Sequence, residues 1–227
     1  MRNSAQSKMP LLLAGGVVIA LFGTTGIEPN AHAQNADDAY RAHVKLVVLG
    51  RFDAALERAI ADGLTRELQV RVEALPRRAL PQAAYYAPRR RYRADRLLDH
   101  LRAELENEPN QVKVIGFTSS DISTTARGHR DWGVFGLGDL GGRASVISTH
   151  RLRRRARDAD HLRFRVVSTA IHEVGHTLGL RHCTESRCVM NDAHGTIQTV
   201  DNSTGHLGPE CRAEVEQNAP VRRWPVR

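Results

Sequence analysis

Residues 172–182 read His172-Glu173-Val174-Gly175-His176-Thr177-Leu178-Gly179-Leu180-Arg181-His182. His172 and His176 are four apart, so on a helix their imidazoles leave the same face, one turn from each other. Two nitrogens on a rigid support are what a divalent zinc ion needs for a first grip. Glu173 is rotated off that line. It is badly placed as a third ligand, but it can reach a metal-held water as general base. Gly179 can adopt the positive φ that ends a helix and swings the chain back. His182 then supplies the third nitrogen, and a fourth position stays open for water. Zinc in such a site lowers the pKa of that water to about 7 and polarises a peptide carbonyl. A bare H-E-x-x-H also arises by chance on buried helices. The correctly spaced glycine and third histidine make the longer pattern specific.

The stretch runs on into Cys183, then Cys188-Val189-Met190, with a later Cys211. Together these motifs resemble the archaemetzincins (the archaelysin family) of the metzincin clan of zinc metalloproteases, and the resemblance spans most of the chain beyond its first residues. It implies a metzincin-like zincin fold and hydrolysis of a peptide or protein substrate. It also implies His172, His176 and His182 as ligands of one catalytic Zn²⁺, Glu173 as base, and Met190 as the methionine of the turn beneath the metal. The family pattern ends in C-x-x-C, and here that place holds Gly208-Pro209-Glu210-Cys211. The family's second, structural zinc therefore lacks one thiolate. Two readings stay open. Either Cys183, Cys188 and Cys211 hold zinc with a fourth ligand from elsewhere, His206 being a candidate, or the site has given way to a disulfide.

The elements that must position these residues follow from periodicity. Leu162, Val166, Val167, Ala170, Ile171, Val174 and Leu178 recur at helical spacing and place the motif on one amphipathic helix. Residues 44–50 form an apolar run that suits a central strand. Residues 52–68 repeat Phe52, Leu56, Ile60 and Leu64 on one helical face, and 69–75 alternate as a second strand. This β-α-β unit implies a parallel pair. Residues 93–107 read as a helix carrying Leu97, Leu98, Leu101 and Leu105, and 112–117 as a third strand. Asp121 follows its end, where a carboxylate caps a turn or binds calcium. Residues 132–142 are rich in glycine, with short strands expected at 133–135 and 144–148. The resemblance to metzincins implies that an edge strand in this stretch forms the upper rim of the active-site cleft, on which a peptide would lie as an added strand. The chain after Met190 reads as loop through Pro209, followed by a short helix at 210–218 and an exposed tail, Arg222-Arg223-Trp224-Pro225. The fold expected is α/β, with a mixed, mainly parallel sheet, the zinc helix, and a small irregular C-terminal subdomain after residue 179.

Arg2 and Lys8 precede an apolar run at 11–22 that is short for a bilayer, and Ala31-His32-Ala33 is a small-x-small cleavage site. Residues 1–33 are therefore expected to be a signal peptide. The catalytic domain is expected at 34–227, with a flexible start at 34–42, and to be exported to the periplasm or beyond as a monomer. No later run is long enough to span a membrane.

The chain carries 33 Lys and Arg against 25 Asp and Glu, a net charge of +8. That excess favours acidic surfaces or anionic polymers. Tyr85, Tyr86 and Tyr92 among Arg89, Arg90, Arg91 and Arg93 could form a stacking patch for nucleic acid. The simpler reading packs the rings on the core, and no zinc-finger or helix-turn-helix pattern supports nucleic acid as a partner. The arginines at 151, 153, 154, 155 and 157 read as a solvated face that could steer acidic substrates. The rival functions are a catalytically inactive zinc-binding protein on the same scaffold and a basic nucleic-acid- or polymer-binding protein.

Overall fold

The computed structural model describes residues 39–223; the expected signal peptide and Trp224-Pro225 lie outside the described residues. β1 (Ala39–Tyr40) leads into β2 (His43–Val48). The Asp53 carboxylate accepts from the Ala55 and Leu56 N–H groups and starts α1 (Ala54–Leu68). Phe52, expected as its first residue, instead packs its ring on Phe117. β3 (Arg71–Ala74) returns parallel to β2, which completes the expected β-α-β unit.

The next segment holds more order than a bare connection. β4 (Tyr85–Tyr86) pairs with β5 (Arg91–Arg93), and the Tyr85 and Tyr92 rings lie 5.2 Å apart. Three of the arginines are spent within the protein. Arg91 faces Asp121 and Asp131, Arg89 faces Asp131, and Arg93 donates to Thr125 and the Arg130 carbonyl. α2 (Ala94–Arg102) and β6 (Val112–Thr118) follow, then β7 (Ile122–Ala126) and β8 (His129–Gly133). Strands β4-β5-β7-β8 form a small second sheet.

β9 (Gly136–Gly138) and β10 (Ala144–Ser148) join the main sheet, whose order is β3-β2-β6-β10-β9. Its first four strands are parallel, and β9 lies antiparallel on the edge. The strand expected at 133–135 is thus displaced, while the edge strand does fall within the glycine-rich stretch. Gly133 ends β8, and the edge is made by the next glycines.

α3 (Thr149–Leu152) precedes the long α4 (Ala159–Thr177), capped by Asp158. Alternate side chains of the sheet serve two cores. Val44, Leu46, Val48, Ile115, Phe117 and Ile147 pack with α1 and α4 on one face. Val47, Val112, Val114 and Val146 pack with Leu97, Leu98 and Leu101 of α2 on the other. Each such buried aliphatic side chain contributes about 1.5–3 kcal/mol of transfer free energy.

α5 (Ile197–Asn202), α6 (Pro209–Asn218) and β11 (Arg222–Arg223) complete the chain. α5 lies in a stretch expected to be loop. Its Asp201 receives both Nε and Nη2 of Arg165, at 2.6 and 2.7 Å, from a guanidinium that is only 2 % exposed. β1 and β11 pair antiparallel, so the expected flexible start does not describe residues 39–40; Arg222 of the expected exposed tail is exposed, but residues 222–223 are held as a strand. Asp121 neither caps a turn nor sits in a cluster suited to calcium. Its carboxylate accepts two hydrogen bonds from Arg151, at 2.7 and 3.0 Å. Arg151 therefore leaves the solvated arginine run and ties α3 to the second sheet.

Candidate functional site

α4 carries His172, Glu173 and His176 on one continuous helix. Its end is built as expected. Gly179 takes φ +95°, its N–H reaches the His176 carbonyl at 3.0 Å, and the Leu180 N–H reaches the Gly175 carbonyl at 3.0 Å. This double closure is a Schellman motif. It reverses the chain so that His182 Nε2 comes within 3.2 Å of His172 Nε2, while His176 Nε2 is 3.0 Å from His172 Nε2.

The other ring nitrogens decide the tautomers. His172 Nδ1 lies 2.8 Å from the Val189 carbonyl, and His176 Nδ1 lies 2.7 Å from the Leu180 carbonyl. A carbonyl only accepts, so each Nδ1 carries the proton and each Nε2 presents a lone pair. Lone pairs at such separations repel one another unless a cation stands between them. Zinc–nitrogen bonds of about 2.0–2.1 Å in a tetrahedron place nitrogens about 3.3 Å apart, which fits the spacing found. Burial and the neighbouring imidazoles push the His172 pKa down to about 3, and burial lowers that of His176. Both rings are therefore neutral near pH 7, as ligands must be.

Glu173 is 7 % exposed, and burial raises its pKa to about 8. It lies in a cleft bounded by β9, by Trp132 and by the loop at Asp192 and Ala193. A side pocket next to it is lined by Phe135, Thr169, Val189 and Val200. Met190 is fully buried under the motif, and a Cβ on Gly175 of α4 would come within 2.8 Å of its Sδ.

A profile of Peptidase family M54 matches residues 44–217. The chain belongs to family M54. As a member it is a zinc-dependent metallopeptidase, a hydrolase of peptide bonds. It is 34 % identical over 180 residues to archaemetzincin from Natronomonas pharaonis, covering 76 % of this chain and 99 % of that one. It is 36 % identical over 180 residues to archaemetzincin from Haloarcula marismortui, with the same coverage. The crystal structure of archaemetzincin from Methanopyrus kandleri superposes with a TM-score of 0.66 at 30 % identity, covering 78 % of this chain and 96 % of that one. The matched M54 region contains the motif helix, the edge strand and all three cysteines.

Those cysteines are brought together behind the histidine loop, with their thiols unpaired in this structure. His206 does not join them. Its Nδ1 lies 2.7 Å from Glu67 of α1, a buried carboxylate that also receives the Leu207 N–H and Arg212 Nη2. The fourth group that converges on the thiols is the Glu185 carboxylate, which the sequence reading missed. Its only sequence signal is its place between Cys183 and Cys188. Asp192 was also missed; one of its oxygens stands 3.8 Å from His182 Nδ1.

Proposed function

We propose that His172, His176 and His182 hold the catalytic zinc of this peptidase and that Glu173 is its general base. The observation that carries this is the convergence of the Nε2 atoms, with the Nδ1 atoms of His172 and His176 each fixed by a backbone carbonyl. When bound, zinc lowers the pKa of a coordinated water and polarises the scissile carbonyl. Glu173 takes a proton from the attacking water and delivers it to the leaving amine. β9 borders the cleft beside Glu173 as the edge of the main sheet, and it aligns an extended peptide by main-chain hydrogen bonds. The pocket formed by Phe135, Thr169, Val189 and Val200 receives an apolar side chain next to the scissile bond. Met190 packs below the site and takes no part in proton transfer.

The enzyme acts as a single chain, since every group invoked comes from one chain. It acts after export, with residues 1–33 removed as a signal peptide. The support is Arg2 and Lys8, the apolar run and Ala31-His32-Ala33. Among the described residues no helix is long and apolar enough to cross a membrane. Intact-mass and amino-terminal analysis of the natively produced protein tests this part, and a start other than Gln34 refutes the assigned cleavage point. For the chemistry, Glu173→Gln is expected to keep its zinc and to lose turnover by about 10²–10⁴-fold on a peptide library read by mass spectrometry. Full turnover in that variant sinks the base assignment.

A further inference from the structure

We propose that Glu185 is the fourth ligand of a second zinc site, completed by Cys183, Cys188 and Cys211. The peptidase reading does not require it. One ligand atom from each of the four residues lies within 4.8 Å of the others. Three thiolates and one carboxylate oxygen suit tetrahedral zinc, whereas calcium and magnesium demand oxygen donors throughout.

Gly208 makes the arrangement possible. It stands where the C-x-x-C pattern would place a thiolate. A Cβ there would fall 2.5 Å from Glu185 Oε2 and 2.6 Å from its Oε1 and Cδ. The carboxylate thus occupies the volume that a side chain at 208 would take. The loss of one ligand and the arrival of another are one steric event, and no side chain at 208 is compatible with Glu185 in this position.

The surroundings also suit anionic ligands. The Gly208 N–H points at Cys188 Sγ at 3.1 Å and the Met190 N–H at 3.4 Å, while Asn191 Nδ2 reaches Cys183 Sγ at 3.6 Å. Donors to sulfur stabilise thiolates and orient them toward a metal. Glu185 itself accepts from the Glu210 and Cys211 N–H groups, at 3.0 and 3.1 Å, in the first turn of α6. Those amides aim the carboxylate, and the Cys211 side chain also hydrogen-bonds to it. Among the described residues no cationic side chain pairs with Glu185. A divalent ion would supply the positive charge that four gathered acidic groups call for.

The site would clamp three pieces of chain. Cys183 follows His182 directly, Cys188 precedes Met190 by two residues, and Cys211 anchors α6. The competing role for Glu185 is a helix cap alone, because Gly208 at the α6 N-cap offers no side chain. Metal counting separates the two.

The test uses the purified full chain, with zinc measured by elemental analysis, thiols titrated, and cobalt substituted for its sulfur-to-metal charge-transfer band. The expected result is two zinc ions per chain and a thiolate–cobalt band. That band persists in His182→Ala, which keeps the outcome independent of the catalytic site. Glu185→Ala and the gentler Glu185→Gln should surrender the second zinc to a chelator at least about tenfold more readily, since loss of even an outer partner weakens metal sites about 10–100-fold. Glu185→Ala combined with Gly208→Cys should restore tight binding and strengthen the cobalt band, although the cap is gone. The proposal is overturned if both single variants hold the second zinc as tightly as the parent. It is equally overturned by a parent protein that carries two of its cysteines as a disulfide, or that shows no thiolate–cobalt band.

Discussion

A Cβ placed on Gly136 would fall 2.5 Å from Oε1 of Glu173, so the edge strand and this carboxylate meet with no side chain between them. β9 thereby lies directly on α4, at the residue proposed as the base. A peptide added along the outer side of β9, as proposed, would be delivered to the same point. The glycine is required by space here, because any larger residue pushes either the strand or the carboxylate away.

Gly136→Ala is accordingly expected to lower kcat about 100-fold, because a misplacement of about 1 Å at a reacting group has an effect of that size. Its zinc content should be unchanged, since the three heavy atoms nearest the new methyl group all belong to Glu173. Steady-state kinetics beside elemental analysis gives the answer. Retention of parental kcat would show that Glu173 is not held by this contact.

Of the three proposed ligands His182 is the one outside the helix, and it depends on the Gly179 turn to reach the other two. Its replacement by alanine should leave His172 and His176 poised but short of a third nitrogen. Competition against a chromophoric chelator should then show catalytic-site affinity falling by more than about 100-fold, beyond what loss of an outer partner causes. Unchanged affinity would mean that the third ligand is another group, and Asp192 would be the first to examine.

The parts of this molecule that could be read from sequence are those whose information is local. The motif helix was legible because Leu162, Val166, Ala170, Ile171 and Val174 repeat at its own period and Gly179 marks its end. The β-α-β unit was legible because Val44, Leu46 and Val48 lie beside a helix with a clean apolar face. The edge strand was misplaced by a few residues because glycines carry no alternation to register it. α5 was hard to see because none of its six residues is fully buried and only Ile197 packs partly against the core. The ion pair of Asp201 with Arg165, 36 residues away, adds a hold that no local pattern shows. Likewise β1 finds β11 only across the whole domain. Glu185 could not be assigned because the space left at Gly208 exists only once α6 is folded against the cysteine loop. His206 is close in sequence to Gly208 but is drawn off by Glu67, on a helix far earlier in the chain.

The Arg165–Asp201 pair yields a prediction about acid stability. Hydrogen bonding from Arg165 comes first among the causes that hold the Asp201 carboxyl below its ordinary pKa, with His161 adding to it. A group whose folded pKa lies below its unfolded value of about 3.9 stabilises the native state above that value, and the contribution fades as pH falls through the folded pKa. Asp201→Asn removes the charge opposite the buried Arg165 guanidinium and one of its two carboxylate acceptors, while the Leu152 and Arg154 carbonyls remain. It should therefore lower unfolding free energy at pH 7 by about 1.5–3 kcal/mol, the range for hydrogen bonds to charged groups. Urea denaturation of both proteins from pH 7 down to about pH 3 should show a steady gap above about pH 5 that narrows below about pH 4. Any zinc lost to acid is lost from both proteins alike, so the difference reports the pair. A gap that stays constant to the acid end would mean that Asp201 stabilises the fold by packing rather than by its charge.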